Sequence, residues 1–263
     1  MAGIPFPNFD PIAVQLGPIA IHWYALAYLA GFVLGWKYML RLVRLHQLPF
    51  TKEQIDDFLT WAVVGVILGG RVGYILFYQS HYYVQNPLAA LAIWQGGMSF
   101  HGGLLGIIGA ILLYSRKLKR SPFELGDLVA AVGPIGLFLG RVANFVNGEL
   151  FGRPTTLPWG VVFPQAPDQL PRHPSQLYEA ALEGLVLFVI LMLAVRLGAL
   201  KRPGILCGLF LSGYGVARFV VEFAREPDVQ LGYLWGGATM GQLLCIPMVI
   251  VGIVFIVRAR KRA

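Results

Sequence analysis

Seven apolar stretches of about twenty residues each constrain this chain more than any other feature. They fall near 18–40, 58–79, 97–115, 125–147, 176–196, 204–224 and 238–257. At ~1.5 Å of rise per residue, each is long enough for a helix to cross ~30 Å of hydrocarbon. Backbone groups in lipid must be satisfied within the segment that carries them, so runs of this length predict helices. Composition agrees: 57% of residues are hydrophobic and 13% charged, whereas roughly a quarter of a soluble domain is charged. Mean hydropathy is +0.66. The expected fold is an all-α polytopic membrane protein with about seven transmembrane helices.

The net charge of +8 raises the question of a nucleic-acid partner, and the placement of the basic residues answers it. Lys37, Arg41, Arg44 and Lys52 surround the first connection, and Arg116, Lys117, Lys119 and Arg120 the third. Arg196, Lys201 and Arg202 lie at the fifth, and Arg258, Arg260, Lys261 and Arg262 in the tail. The N-terminal segment and the connection at 80–95 contain none. This alternation follows the positive-inside rule and predicts an outer N-terminus and a cytoplasmic C-terminus, with no nucleic acid involved. The first apolar run lacks the charged n-region and the small-residue cleavage site of a removable signal, so it is expected to stay as an anchor.

Residues 1–263 read as one integral membrane domain. The segment at 148–174, rich in Pro and Gly, is expected to form a small irregular or β-like extracytoplasmic cap. Trp23, Trp94, Trp159 and Trp235 are expected in an interfacial belt. Cys207 and Cys245 lie inside apolar runs without metal-ligand or CxxC spacing, so neither a metal nor a cofactor is implied.

Topology accounts for fifteen of the twenty-one basic residues and leaves Arg71, Arg141, Arg153, Arg172, Arg218 and Arg225. Three of these fall inside spans. Counted at ~1.5 Å per residue from the cytoplasmic ends, Arg71 and Arg218 lie about 20 Å up and Arg141 about 24 Å up. Tyr24, His101, Glu179 and Glu183 reach the same outer slab from the opposite side. A mid-helix arginine costs about 2.5–3.5 kcal/mol on insertion scales, so three of them need partners or water.

Tyr214, Arg218 and Glu222 recur every four residues and share a helix face, as do Arg141, Asn144 and Asn147 at steps of three. Structural interhelical ion pairs are one explanation. Against it, the cations outnumber the obvious nearby anions, and such pairs leave His101 unexplained. His101 stands between two glycine pairs in GGMSFHGG (96–103), where backbones approach closely, and an imidazole near neutrality is suited to accept a proton.

Several guanidinium groups near the outer headgroup level match a lipid phosphate, which arginine grips through paired hydrogen bonds. If that phosphate departs, the same arginines stabilise the charge developing on it. The chain offers no nucleophile of its own, so the nucleophile is expected on a second substrate.

Six ordered segments carry a family resemblance: IHWYAL (21–26), GGRVGYILFY (69–78), GGMSFHGGL (96–104), GRVANFVNGELFGR (140–153), RHPSQLYEA (172–180) and GYGVARFVVEFAREPD (213–228). Together they resemble the bacterial phosphatidylglycerol–prolipoprotein diacylglyceryl transferases over nearly the whole chain. The resemblance implies a multi-pass enzyme of the bacterial inner (cytoplasmic) membrane. It would move the diacylglyceryl group of phosphatidylglycerol to the lipobox cysteine of a prolipoprotein signal peptide, forming a thioether and releasing glycerol 1-phosphate.

The family's functional positions fall on Tyr24, His101, Arg141, Asn144, Glu149, Gly152, Tyr214, Arg218 and Glu222. The resemblance implies that Arg141 and Arg218 hold the phosphate and that His101 is the candidate base, with Tyr24 beside them in the chemistry. Asn144, Glu149 and Glu222 would orient the arginines, and Gly152 and Tyr214 complete the substrate site. Arg71, Glu179 and Glu183 are weaker candidates. The rival reading is a transporter or flippase for an anionic lipid, against which stand the lack of an internal repeat and the off-centre charges.

Overall fold

A computed structural model describes residues 3–7, 9–227 and 234–261. The chain divides into two compact units, one of Met1–Met39 with Asp127–Ala263 and one of Leu40–Gly126. Among the described residues, five helical stretches are long and apolar enough to cross a membrane: Trp23–Leu45, Lys52–Tyr78, Pro122–Val146, Ser175–Arg196 and Met240–Lys261. The other two expected spans are the helices Phe100–Lys117 and Ile205–Val221. The chain is a helical, multi-pass membrane protein.

In chain order the helices are α1 (Trp23–Leu45), α2 (Lys52–Tyr78), α3 (Ser80–Gln85), α4 (Phe100–Lys117), α5 (Pro122–Val146), α6 (Ser175–Glu179), α7 (Leu187–Arg196), α8 (Ile205–Val221) and α9 (Met240–Lys261). Between α6 and α7 lies one widened π-helical segment, Ala180–Val186.

Two boundaries differ from the hydropathy reading for local reasons. The first span starts at Trp23, not near 18, because Ile12–Leu16 (β2) and Ile19–His22 (β3) pair as an antiparallel hairpin. Helix α2 starts six residues earlier than its apolar run. Thr51 and Gln54 form a capping box, which lets the charged turn Lys52–Glu53 be helical. Hydropathy is blind to such a turn.

The Leu40–Gly126 unit is built on the close approach of α2 and α4. Gly65, Gly69 and Gly73 on one helix face Gly102 and Gly106 on the other, and a Cβ at any of them would strike the opposing backbone. Small residues every four positions make this contact possible where dispersion, not water exclusion, must hold helices together. The connection that follows α2 carries α3 and two short 3₁₀ turns, Pro87–Leu91 and Ile93–Gln95.

In the other unit, α8 and α9 meet in the same manner at Gly208, Ser212 and Gly252. Residues 148–174 contain the strands Val161–Val162 (β4) and Pro171–Arg172 (β5), joined by the N-terminal strand Ile4–Pro5 (β1) in the order β1-β4-β5. An aromatic cluster of Phe6, Phe145, Phe151 and Phe163 backs this small sheet. Trp23, Trp94 and Trp159 are exposed, while the side chain of Trp235 and all of Arg262 lie outside the described residues.

Candidate active site

Three arginines and three glutamates converge in the Met1–Met39/Asp127–Ala263 unit. Glu179, the last residue of α6, is the hub. Its Oε2 lies 2.6 Å from Arg141 Nε and 3.2 Å from Arg218 Nη1, and its Oε1 lies 2.6 Å from Arg225 Nη1. Arg218 Nε also meets Glu222 Oε2 at 3.1 Å, and Arg225 Nε lies 3.6 Å from the same oxygen. The third carboxylate, Glu183, stands on the π-helical segment at 4.0 Å from Arg141 Nη2 and 3.9 Å from Arg218 Nη1. A π-turn inside a helix often marks a functional site, and here it carries a buried carboxylate into the cluster.

The two signs of charge are not equally accessible. Arg141 and Arg218 keep 20% and 17% of their side-chain surface exposed, whereas Glu179 and Glu183 have none. The glutamates thus sit behind the guanidinium groups. The salt bridges leave Nη2 of Arg218 unused and engage Nη2 of Arg141 only at the long distance to Glu183.

A second layer holds Arg141. Its Nη1 donates to Asn144 Oδ1 at 3.4 Å, and Asn144 Nδ2 donates to Glu149 Oε1 at 2.8 Å. Glu149 stands in a tight turn in which Gly148 and Leu150 both have positive φ, 68° and 57°. That conformation strains a leucine. The turn is clipped in place, since Gln176 Nε2 donates to the Glu149 carbonyl and Ser175 Oγ to that of Leu150. Tyr24, hydrogen-bonded to Tyr28 at 3.1 Å, lies within electrostatic reach of Arg141 and Glu149. Tyr214, stacked on Phe210, has the same relation to Arg218, Arg141, Glu179 and Glu183.

Gly152 closes the arrangement. Its N–H donates to the His173 carbonyl at 2.9 Å, and it bridges to Arg225 across an antiparallel pair. A Cβ there would collide with the Ala224 carbonyl and the His173 backbone. Arg153 donates to the carbonyls of Arg225 and Glu222. Arg172 donates to Gly152, Asp168 and Glu226. The Arg172 guanidinium holds the Asp168 carboxyl below the usual aspartate range. Burial, with Arg153 nearby, lowers the His173 imidazole below its ordinary value and keeps it neutral at neutral pH.

A family model for prolipoprotein diacylglyceryl transferase matches residues 11–258. The chain is 61% identical over 264 residues to the phosphatidylglycerol–prolipoprotein diacylglyceryl transferase of Azospirillum brasilense, covering 100% of this chain and 98% of that protein. It is 62% identical over 262 residues to the same-named enzyme of Rhodospirillum centenum, covering 98% and 95%. This chain belongs to the prolipoprotein diacylglyceryl transferase family.

Of the positions expected for this transferase family, Tyr24, Arg141, Asn144, Glu149, Gly152, Tyr214, Arg218 and Glu222 all lie in the unit that holds the arginine cluster. His101 and Arg71 belong to the Leu40–Gly126 unit. His101 is exposed in the first turn of α4, edge-on to Phe100, just after the N-cap Ser99.

Arg71, a weaker substrate-binding candidate from sequence, is held by backbone carbonyls. It is 5% exposed, and its Nε, Nη1 and Nη2 donate to the carbonyls of Ala89, Ala90, Ala92, Gly96 and Gly97. A guanidinium has five N–H donors, so none remains for a phosphate. The expected excess of cations is corrected, because Glu179, Glu183 and Glu222 match Arg141, Arg218 and Arg225 in number.

Sequence reading missed Arg225 and undervalued Glu179. The first was detectable, since Arg218, Glu222 and Arg225 follow at steps of four and three and share a helix face. The second was not, because nothing local to RHPSQLYEA reports which arginines come from other helices.

Proposed function

We propose that this chain transfers the diacylglyceryl group of phosphatidylglycerol to the lipobox cysteine of a prolipoprotein signal peptide, forming a thioether and releasing glycerol 1-phosphate. The observation that carries this reading is the layered cluster, in which half-buried guanidinium groups with unused N–H donors stand in front of fully buried carboxylates. A phosphodiester headgroup completes such a layer, and an uncharged one does not.

In the reaction the cysteine sulfur attacks the glyceryl carbon that bears the phosphate. The C–O bond breaks, and its electron pair stays on the phosphate oxygen. The monoanionic diester thereby becomes a dianionic monoester, and Arg141 and Arg218 stabilise the charge as it appears. Asn144, Glu149 and Glu222 hold the guanidinium groups in place, and Tyr24 and Tyr214 orient the headgroup. His101 takes the thiol's proton, as the family resemblance implies, with the arginine field favouring the thiolate. The whole chain works as one transferase domain, with the segment 148–174 as its extracytoplasmic cap.

We place the enzyme in the bacterial inner membrane with its N-terminus outside and its C-terminus in the cytoplasm, on the alternation of basic connections. Reporter fusions at the two ends test the orientation. Purified protein mixed with labelled phosphatidylglycerol and a lipobox peptide tests the activity. Thioether-linked peptide is the expected product, and lipid binding or peptide cleavage without it rejects the transferase reading.

A further inference from the structure

Glu183 has no evident task in the reaction just described. It is fully buried, and neither of its carboxylate oxygens has a hydrogen-bond partner among the described residues. Glu179 and Glu222 differ: the first accepts from Arg218 and Arg225, the second from Thr239. A buried ionised carboxylate without donors is costly, and such groups are retained where they serve a purpose.

The charges give that purpose. Arg141, Arg218 and Arg225 are matched in number by Glu179, Glu183 and Glu222, so the cluster is neutral when all six are ionised. A phosphodiester placed against it adds an uncompensated negative charge in a medium of low dielectric constant, where that charge is expensive. One proton taken up by a carboxylate removes the deficit. Glu183 is the carboxylate that no hydrogen bond holds in its charged form, so protonating it disrupts least.

We infer that Glu183 is the proton-linked counter-ion of the phosphate site: it takes up one proton when an anionic headgroup engages Arg141 and Arg218, and releases it when the phosphate leaves. The inference rests on the phosphatidylglycerol reading above. The charged and titratable groups facing Glu183 are Glu179 on its own helix, Arg141 on α5, Tyr214 and Arg218 on α8, Arg225 just beyond α8, and Cys245 on α9. With Glu183 protonated, Arg141, Arg218 and Arg225 stand against Glu179 and Glu222 alone, an excess of one positive charge matched to a monoanionic diester. Glu183 acts through the arginines as a positioning residue.

Calorimetric titration of the full-length protein in nanodiscs with phosphatidylglycerol tests this, in buffers of differing ionisation enthalpy between about pH 6 and about pH 8. The wild type is expected to take up as much as one proton per lipid bound, with affinity falling as pH rises. Glu183→Gln, which imitates the protonated state, is expected to take up none and to bind about tenfold more tightly at the upper end of that range. The same variant should turn over more slowly, because product release loses its trigger. Phosphatidylcholine, with no net charge, should draw no proton.

Absence of proton uptake by the wild type across the range overturns the inference, as does uptake that persists in Glu183→Gln. If that variant does not fold, Glu183→Asp replaces it, and uptake whose pH midpoint is unmoved overturns the inference equally. Thioether formation by the wild type is scored separately, so a failed proton count leaves the transferase reading standing and a failed transfer assay rejects that reading alone.

Discussion

Arg71 and Arg218 both lie inside membrane-spanning helices, and the two regions around them answer the cost of a buried guanidinium in opposite ways. Around Arg71 the answer is backbone: five carbonyls from residues 89–97 take up its donors, and Tyr83 lies under it at 5.2 Å. Around Arg218 the answer is carboxylate, with Glu179 and Glu222 in contact, Glu183 behind, and Nη2 left over. Carbonyls satisfy a guanidinium completely and leave it nothing further to bind. Carboxylates neutralise its charge from one side and leave donors on the other. The first arrangement ties a guanidinium to a loop, and the second is the one the proposed phosphate site draws on.

Removing an arginine from each region breaks the comparison most directly. Arg218→Ala and Arg141→Ala are expected to lower transfer by about a hundredfold or more while the protein stays folded. The measurement is the rate of thioether formation alongside thermal unfolding. Lysine at either position should not restore activity, because a point charge lacks the planar fork.

Arg71→Ala should show the reverse pattern, with a stability loss of about 3 kcal/mol. Hydrogen exchange should locate the loosening in residues 86–97. If Arg71→Ala unfolds no more easily than the wild type yet loses lipid affinity, the distinction between the regions is wrong.

Gly152→Ala sharpens the comparison from the backbone side. The added methyl would strike the Ala224 carbonyl and His173, displacing the strand pair that anchors Arg225. A destabilisation of about 1–3 kcal/mol is expected, together with a fall in transfer rate larger than that of any substitution on the exposed face of β2.

The smallest effect should come from the pair that holds the cap, Arg172 and Asp168, 2.7 Å apart. Arg172 lowers the Asp168 carboxyl in the folded state, so the pair contributes stability above the unfolded value of about 4 and loses it as pH falls through the folded value. Asp168→Asn is therefore expected to lower the melting temperature slightly at neutral pH, with the difference from wild type vanishing in acid.

How much of the site was legible depended on whether its members lie on one helix. Tyr214, Arg218 and Glu222, or Arg141 and Asn144, were readable because the period of a helix puts them on one face. The family motifs added Glu149, whose carboxylate accepts from Asn144 from within a tight turn, and Gly152, whose contacts are made by its backbone. Glu179 looked minor and proved to be the hub. Arg71 was a weaker candidate from sequence, and its carbonyl acceptors could not be read there, since they lie 18 to 26 residues away in a segment without periodicity.

By itself the sequence determined that this chain is a helical multi-pass membrane protein and that arginines inside its apolar runs need partners, because hydropathy and helical period are local properties. Only the tertiary structure decided which arginine meets carboxylates and which meets carbonyls. That choice depends on how separate helices and a loop are brought together, and the packing of glycine faces and the π-turn at Ala180–Val186 set it through contacts between residues far apart in the chain.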